Sequence, residues 1–219
     1  MSEHLATGDD SFIQIVSDFI CPWCWIGEEN LQRALAATER RDDRRIIFVP
    51  YQLNPHMPAA GMDRKAYRSA KFGSWAHSQA LDAQVAEAGR AVGLNFAYDR
   101  VKKTPNTLAA HRLVWREQHA GRNTVPLVRA LFNAYFAQGQ DIGDINVLAD
   151  IAGETGLDRL DALSFLVSSE GRAEVLALEA TFRVAGIRSV PSIHIGEQVI
   201  SGAQPVDVML EVLRRCQPA

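Results

Sequence analysis

The chain has 219 residues, 47% of them hydrophobic, with 23 Lys and Arg against 26 Asp and Glu and a formal net charge of -3. That is enough apolar sequence to bury a core in one large domain or two small ones. The charge is too balanced to give an electrostatic reason for a nucleic acid or an anionic membrane surface as partner. No stretch approaches the roughly 18 apolar residues of a membrane span. The first residues, Met1 to Asp10, have no basic segment followed by an apolar one, so no secretory signal is expected and a cytoplasmic location is. A reducing cytosol argues against a structural disulfide framework, as does the odd number of cysteines, Cys21, Cys24 and Cys216. Like charges are interspersed; the short run from Arg40 to Arg45 reads as a solvated helix end and turn.

In chain order, Phe12-Ile13-Gln14-Ile15-Val16-Ser17 has the β-branched, apolar character of a buried strand. From Pro22 to about Arg40 the chain reads as a helix. A proline suits its first turn, where the missing N–H costs nothing, and Leu31 and Leu35 supply an apolar face. A second strand is expected over Ile46 to Leu53, completing a β-α-β unit with two parallel strands. Asn54-Pro55-His56-Met57-Pro58 breaks this pattern. Helices are then expected over Asp63 to Val92, Asn106 to His119, Thr124 to Gln138, Ile145 to Thr155 and Asp158 to Val167, with Gly/Asp/Asn breaks that suit compact antiparallel packing. A further helix runs from Arg172 to Val184 and stops at Gly186. Val190 to Ile195 and Gln198 to Ser201 read as a hairpin turning at Gly196-Glu197, and Gly202 and Pro205 open a last helix, Val206 to Arg215. The order predicts an α/β chain with a thioredoxin-like fold. A large all-helical insertion, residues 56–171, separates its β-α-β and β-β-α halves, which form a discontinuous domain over 10–55 and 172–219.

Cys21-Pro22-Trp23-Cys24 opens the first helix. Residues three apart on a helix share a face, within the Cα separation a disulfide spans, so the pair can close or open a bridge with little backbone movement. Cys21 sits where free N–H groups and the helix dipole favour a thiolate, the attacking species. Cys24, a turn inward, is placed to resolve a mixed disulfide. Half a zinc site needs further ligands. No second Cys-x-x-Cys or His-x3–5-His occurs, so no metal is expected. Two inert buried cysteines are disfavoured by the Pro-Trp between them at a strand-to-helix junction. Trp23 carries no charge, so a less oxidising pair is expected than with a histidine there, and Trp25 is expected in the core. Val190-Pro191, at the start of a strand, is where this fold carries a cis-proline facing the first sulfur. The Val190 backbone would there pair with an extended substrate. His56, His77, His111, His119 and His194 are not adjacent to the cysteines in sequence and receive no role, and Cys216 reads as a small residue on the last helix.

The chain resembles the FrnE-like branch of the DsbA family of thiol–disulfide oxidoreductases. The marks are Ser17-Asp18-Phe19-Ile20-Cys21-Pro22-Trp23-Cys24-Trp25-Ile26-Gly27, Gln52-Leu53-Asn54-Pro55, Asn106 to Leu113, Gly139 to Asp144, Val190-Pro191-Ser192 and Ser201 to Pro205. The resemblance implies Cys21 as nucleophile, Cys24 as its partner, Pro191 as the cis-proline, and Pro22, Trp23, Val190 and Pro191 as the substrate-binding surface. It implies no cofactor beyond the redox pair, protein or small-molecule thiols and disulfides as substrates, and glutathione or thioredoxin as reducing partner. Two other readings stand beside it. Related kappa-type glutathione transferases and hydroxychromene carboxylate isomerases bind glutathione but place serine where Cys21 stands. A non-enzymatic module would instead use the helical insertion as a partner surface.

Overall fold

Strand β1 (Phe12–Ser17) is buried along five of its six residues, as a strand covered on both faces must be. It pairs in parallel with β2 (Arg45–Pro50), Ile15 beside Phe48. On its other edge it pairs antiparallel with β5 (Ser192–Ile195), Ile15 beside Ile193. β6 (Gln198–Ser201) completes the sheet, in the order β2-β1-β5-β6. The structure is a computed structural model that describes residues 12–38 and 44–216; residues 1–11 and the charged positions 40–43 lie outside the described residues.

Alternate residues of β1 face opposite ways, and each face is covered. Ile13 and Ile15 join the main core with Leu31 and Ala34 of helix α1 (Pro22–Ala36) and Met209 and Leu213 of α9 (Val206–Arg215). Val16 packs with Val49, Tyr51 and Phe182 of α8 (Arg172–Val184). Helix α1 ends a few residues before Arg40. The Thr38 hydroxyl donates to the Leu35 carbonyl at 2.7 Å, a local bond that competes with continued helix.

Between β2 and β5 lies the helical insertion. A two-residue ladder joins β3 (Met62–Asp63) to β4 (Lys103–Thr104). Around it stand α2 (Arg64–Phe72), α3 (Trp75–Ala91), α4 (Leu108–His119), α5 (Val125–Phe136), α6 (Ile145–Glu154) and α7 (Arg159–Val167). The single helix expected over 63–92 is two. Gly73 takes φ 86° at the end of α2, and the Ser74 side chain accepts from the His77 N–H to cap α3. A glycine stop followed by a serine cap outweighs continuing apolar periodicity. Trp25 of α1 ties the two parts together, stacked on Phe132 and Phe136 of α5 with ring centroids 6.4 and 5.9 Å away, and edge-on to Phe96 at 4.9 Å. Among the described residues no helix is long and apolar enough to cross a membrane.

Glu28 of α1 is fully buried, with the Arg129 guanidinium of α5 3.4 Å away. Burial outweighs that attraction and lifts the carboxyl to about 7. The folded state therefore holds this proton more tightly than the unfolded chain does. The resulting stabilisation is complete below the unfolded carboxyl range and is lost as pH rises through about 7, an amount on the order of 3 kcal/mol. Melting temperature is expected to fall over that window, and less steeply in Glu28→Gln. Parallel declines in the two proteins would refute the assignment.

Candidate active site

Strand β1 delivers the chain into a tight turn, where the Cys21 N–H donates to the Asp18 carbonyl at 3.0 Å. Cys21 is the residue before α1, still extended at φ -92° and ψ 108°, and Pro22 occupies the first helical turn. The Cys24 N–H donates to the Cys21 carbonyl at 3.0 Å, so the two cysteines share one turn, as the spacing predicts. They are not joined by a disulfide. Cys24 is completely buried, while Cys21 retains 5% exposure. Burial pushes the Cys24 thiol well up, reinforced by its hydrogen bond to Cys21 and the charges of Cys21 and Asp18. Cys24 is thereby held as a protonated thiol while Cys21 faces outward.

The four residues expected to bind substrate divide into two groups. The Val190–Pro191 peptide bond is cis, and the Cys21 thiol donates toward the Val190 carbonyl at 3.7 Å. Pro191 is buried, and Gly27 admits it: a Cβ there would lie 3.0 Å from Pro191 Cγ. Pro22 and Trp23 instead line a cleft of about 350 Å³ beside Cys21, with Trp23 42% exposed. Val190 and Pro191 are not part of that cleft's lining.

The far side of the cleft comes from residues that sequence reasoning left unassigned. Leu53, Tyr67, Arg68, Lys71 and Phe72 stand opposite the cysteine, with Asp82, Thr104 and Tyr135 deeper. Asp82 accepts from Arg64 at 2.7 Å and from Arg68 at 2.8 Å. Two guanidinium groups share one carboxylate, and Lys71, bonded to the Tyr67 hydroxyl at 2.8 Å, adds a third cation. Of these groups Arg68, Lys71 and Asp82 line the cleft and Arg64 does not, so the lining carries one net positive charge. Burial pushes the Tyr135 phenol up, so it stays neutral. Tyr67 reaches back to Asn54, its hydroxyl 2.5 Å from Oδ1, which docks α2 on the loop after β2.

Two histidines from the sequence reading are buried. His194 lies 2.9 Å from the Ser192 hydroxyl within β5, and burial lowers its pKa, which fits a neutral core group. His111 of α4 lies behind the redox turn, its Nε2 3.4 Å from Asp18 Oδ1. Both lie in segments that carry the family resemblance, Ser17 to Gly27 and Asn106 to Leu113, but no spacing in the sequence joins them. The Cys216 thiol donates toward the Ile195 carbonyl at 3.6 Å, away from the pair.

Several known proteins are similar to this chain in sequence or fold. The chain is 29% identical over 202 residues to the uncharacterized protein YwbO of Bacillus subtilis, covering 90% of this chain and 92% of that one. The "probable DsbA oxidoreductase SCO1869" of Streptomyces coelicolor superposes with a TM-score of 0.83 at 26% identity, covering 94% of this chain and 92% of the other. The cytosolic disulfide reductase DsbM of Pseudomonas aeruginosa, solved with GSH, shares the fold at a TM-score of 0.64 and 16% identity, covering 93% and 98%. Residues 12–214 match the DSBA-like thioredoxin domain throughout, with the paired cysteines at the start of its first helix: the chain belongs to the DSBA-like thioredoxin domain family and is a DsbA-like oxidoreductase.

Proposed function

We propose that this protein is a cytoplasmic thiol–disulfide oxidoreductase of the FrnE-like type that reduces small, anionic disulfides, with Cys21 attacking and Cys24 resolving. The observation that carries this reading is the cleft: about 350 Å³ beside Cys21 under a cationic wall. That volume lies in the range of small-molecule sites. Its cations suit a carboxylate-bearing disulfide such as that of glutathione. Pro22 and Trp23 would contact the body of the substrate, and Val190 and Pro191 would flank the sulfur under attack. The description of the Pseudomonas aeruginosa neighbour as a cytosolic disulfide reductase seen with GSH agrees with this assignment. Two cysteines in one helical turn favour redox exchange over the glutathione-transferase alternative, which needs only one thiol-stabilising group.

The test is equilibration of the pair in glutathione buffers, on a Cys216→Ser background. The expected potential is at the reducing end, nearer the roughly -270 mV of thioredoxin than the roughly -120 mV of DsbA. Glutathione disulfide should be turned over faster than the cationic disulfide cystamine. A potential near that of DsbA would make the protein an oxidant. Failure to form any reversible disulfide would promote glutathione conjugation or isomerisation.

A further inference from the structure

We propose that a second cavity, beside the loop that follows β2 and separate from the redox cleft, binds a small organic anion with an apolar body, its acid group on Arg172. The inference goes beyond the redox reading and does not depend on it.

The cavity holds about 470 Å³, in the range of small-molecule sites. The loop after β2 and the first turns of α4, α6 and α8 enclose it. Leu53 lines the redox cleft, while Gln52 and Pro55 on either side of it line this cavity, and the two spaces share no lining residue. Three segments that carry the family resemblance meet here: Gln52 and Pro55 come from one, Asn106 and Arg112 from another, and Gly143 from a third. The redox chemistry uses none of these five.

The charge in the lining has one sign. Its titratable side chains are His56, Arg112 and Arg172, all basic. Asp144, which caps α6, and Glu170, before α8, adjoin the cavity in sequence but do not line it. Arg112 is 7% exposed, and a buried cation is ordinarily matched by a counter-ion. No ion pair joins Arg112 or Arg172 to a carboxylate among the described residues. Burial and then the neighbouring Arg172 charge lower the Arg112 pKa, and Glu170 offsets them least. The Arg112 guanidinium is held by carbonyls after α7, Nε donating to Glu170 and Nη2 to Ser168, both at 2.8 Å. Arg172 stands exposed at the rim, and its guanidinium makes no hydrogen bond to another described residue. Its planar fork is left for a carboxylate or similar acid.

The backbone adds to this field. Leu108, Ile145 and Arg172 are the first residues of α4, α6 and α8, so the positive ends of three helix dipoles open on one space. Arg172 is itself a cation where the helix dipole favours an acid, a local conflict of the kind that marks functional sites. Met57, Leu108, Ile145 and Leu176 supply apolar walls. An inorganic anion would leave those walls bare, so the occupant carries an apolar body behind its acid group.

The test is titration of nitrogen-15-labelled protein with naphthoate, and with its neutral counterpart naphthamide, followed through backbone amide shifts. Saturable shifts are expected at Ala109, Gly143 and Leu176, with naphthamide at least about tenfold weaker because the charge-assisted bonds are lost. Arg172→Glu should raise the naphthoate Kd at these amides at least about tenfold. Its melting temperature should match or exceed the parent's, because an acid suits the first turn of a helix. Lys71→Ala, in the redox cleft, should leave the Kd at these amides unchanged. Shifts confined to Trp23 and Lys71 would place the anion in the redox cleft alone and overturn the inference. Equal affinities for naphthoate and naphthamide would also overturn it, a comparison that needs no variant. So would a folded Arg172→Glu protein with the parent Kd, or a Kd at Gly143 that weakens with Lys71→Ala.

Discussion

Cys21→Ser is expected to lower disulfide turnover by at least about a thousandfold, while Cys24→Ser should leave the first attack intact and stop the reaction there. The asymmetry follows from burial. Cys21 caps α1 and opens on the cleft, so its sulfur meets substrate; Cys24 is enclosed in the core beside Cys21 and does not line the cleft. A serine hydroxyl at position 21 does not ionise near neutral pH and cannot form the mixed disulfide, so the loss is near total. A serine at position 24 removes only the resolving sulfur. The mixed disulfide should then accumulate and appear by intact mass as one bound substrate thiol, released by dithiothreitol. Retention of substantial turnover by Cys21→Ser would show that the cleft works by another chemistry. Mixed disulfide on Cys24 in place of Cys21 would reverse the two roles.

Asp82→Ala is expected to cost about 3–5 kcal/mol of folding stability, as loss of one partner from a buried ion pair does. Asp82 is the carboxylate between Arg64 and Arg68, and the Arg64 and Asp82 side chains are 4% and 9% exposed. The Arg64 guanidinium is also covered by aromatic rings, 4.9 Å from the Tyr98 centroid and 5.7 Å from that of Trp75. Removing Asp82 leaves two like charges together in a low-dielectric wall. The denaturant midpoint reads the loss directly, at constant slope. Asp150→Ala is the control. Its ion pair with Arg159 is about half exposed on both sides, and such pairs contribute roughly 0–1 kcal/mol. Similar losses in the two variants would mean that the Arg64–Asp82–Arg68 cluster is better hydrated than its burial indicates.

The architecture was legible because its signals are local. The apolar run of β1, the proline opening α1, the Gly-Glu turn of the terminal hairpin and the breaks between α4, α5, α6 and α7 each act within a few residues. They placed the paired cysteines at a helix start and Val190-Pro191 at a strand start, and the structure brings those two points within 3.7 Å. The missed break at Gly73-Ser74 was also local. Its stop and cap signals were present, hidden by apolar periodicity running through both helices.

By itself, then, the sequence determined the order of elements, the thioredoxin-like halves, the redox pair and the proline that faces it, since each is written in neighbouring side chains and backbone preferences. Only the tertiary structure decided what surrounds the sulfurs. The cleft opposite Cys21 exists because α2 docks through Tyr67 on Asn54, and its cations are Arg68, which Asp82 of α3 holds in place, and Lys71. Asp18 meets His111 because α4 packs behind the redox turn. Such meetings depend on how buried faces of distant helices settle against one sheet, and no short stretch of chain carries that information.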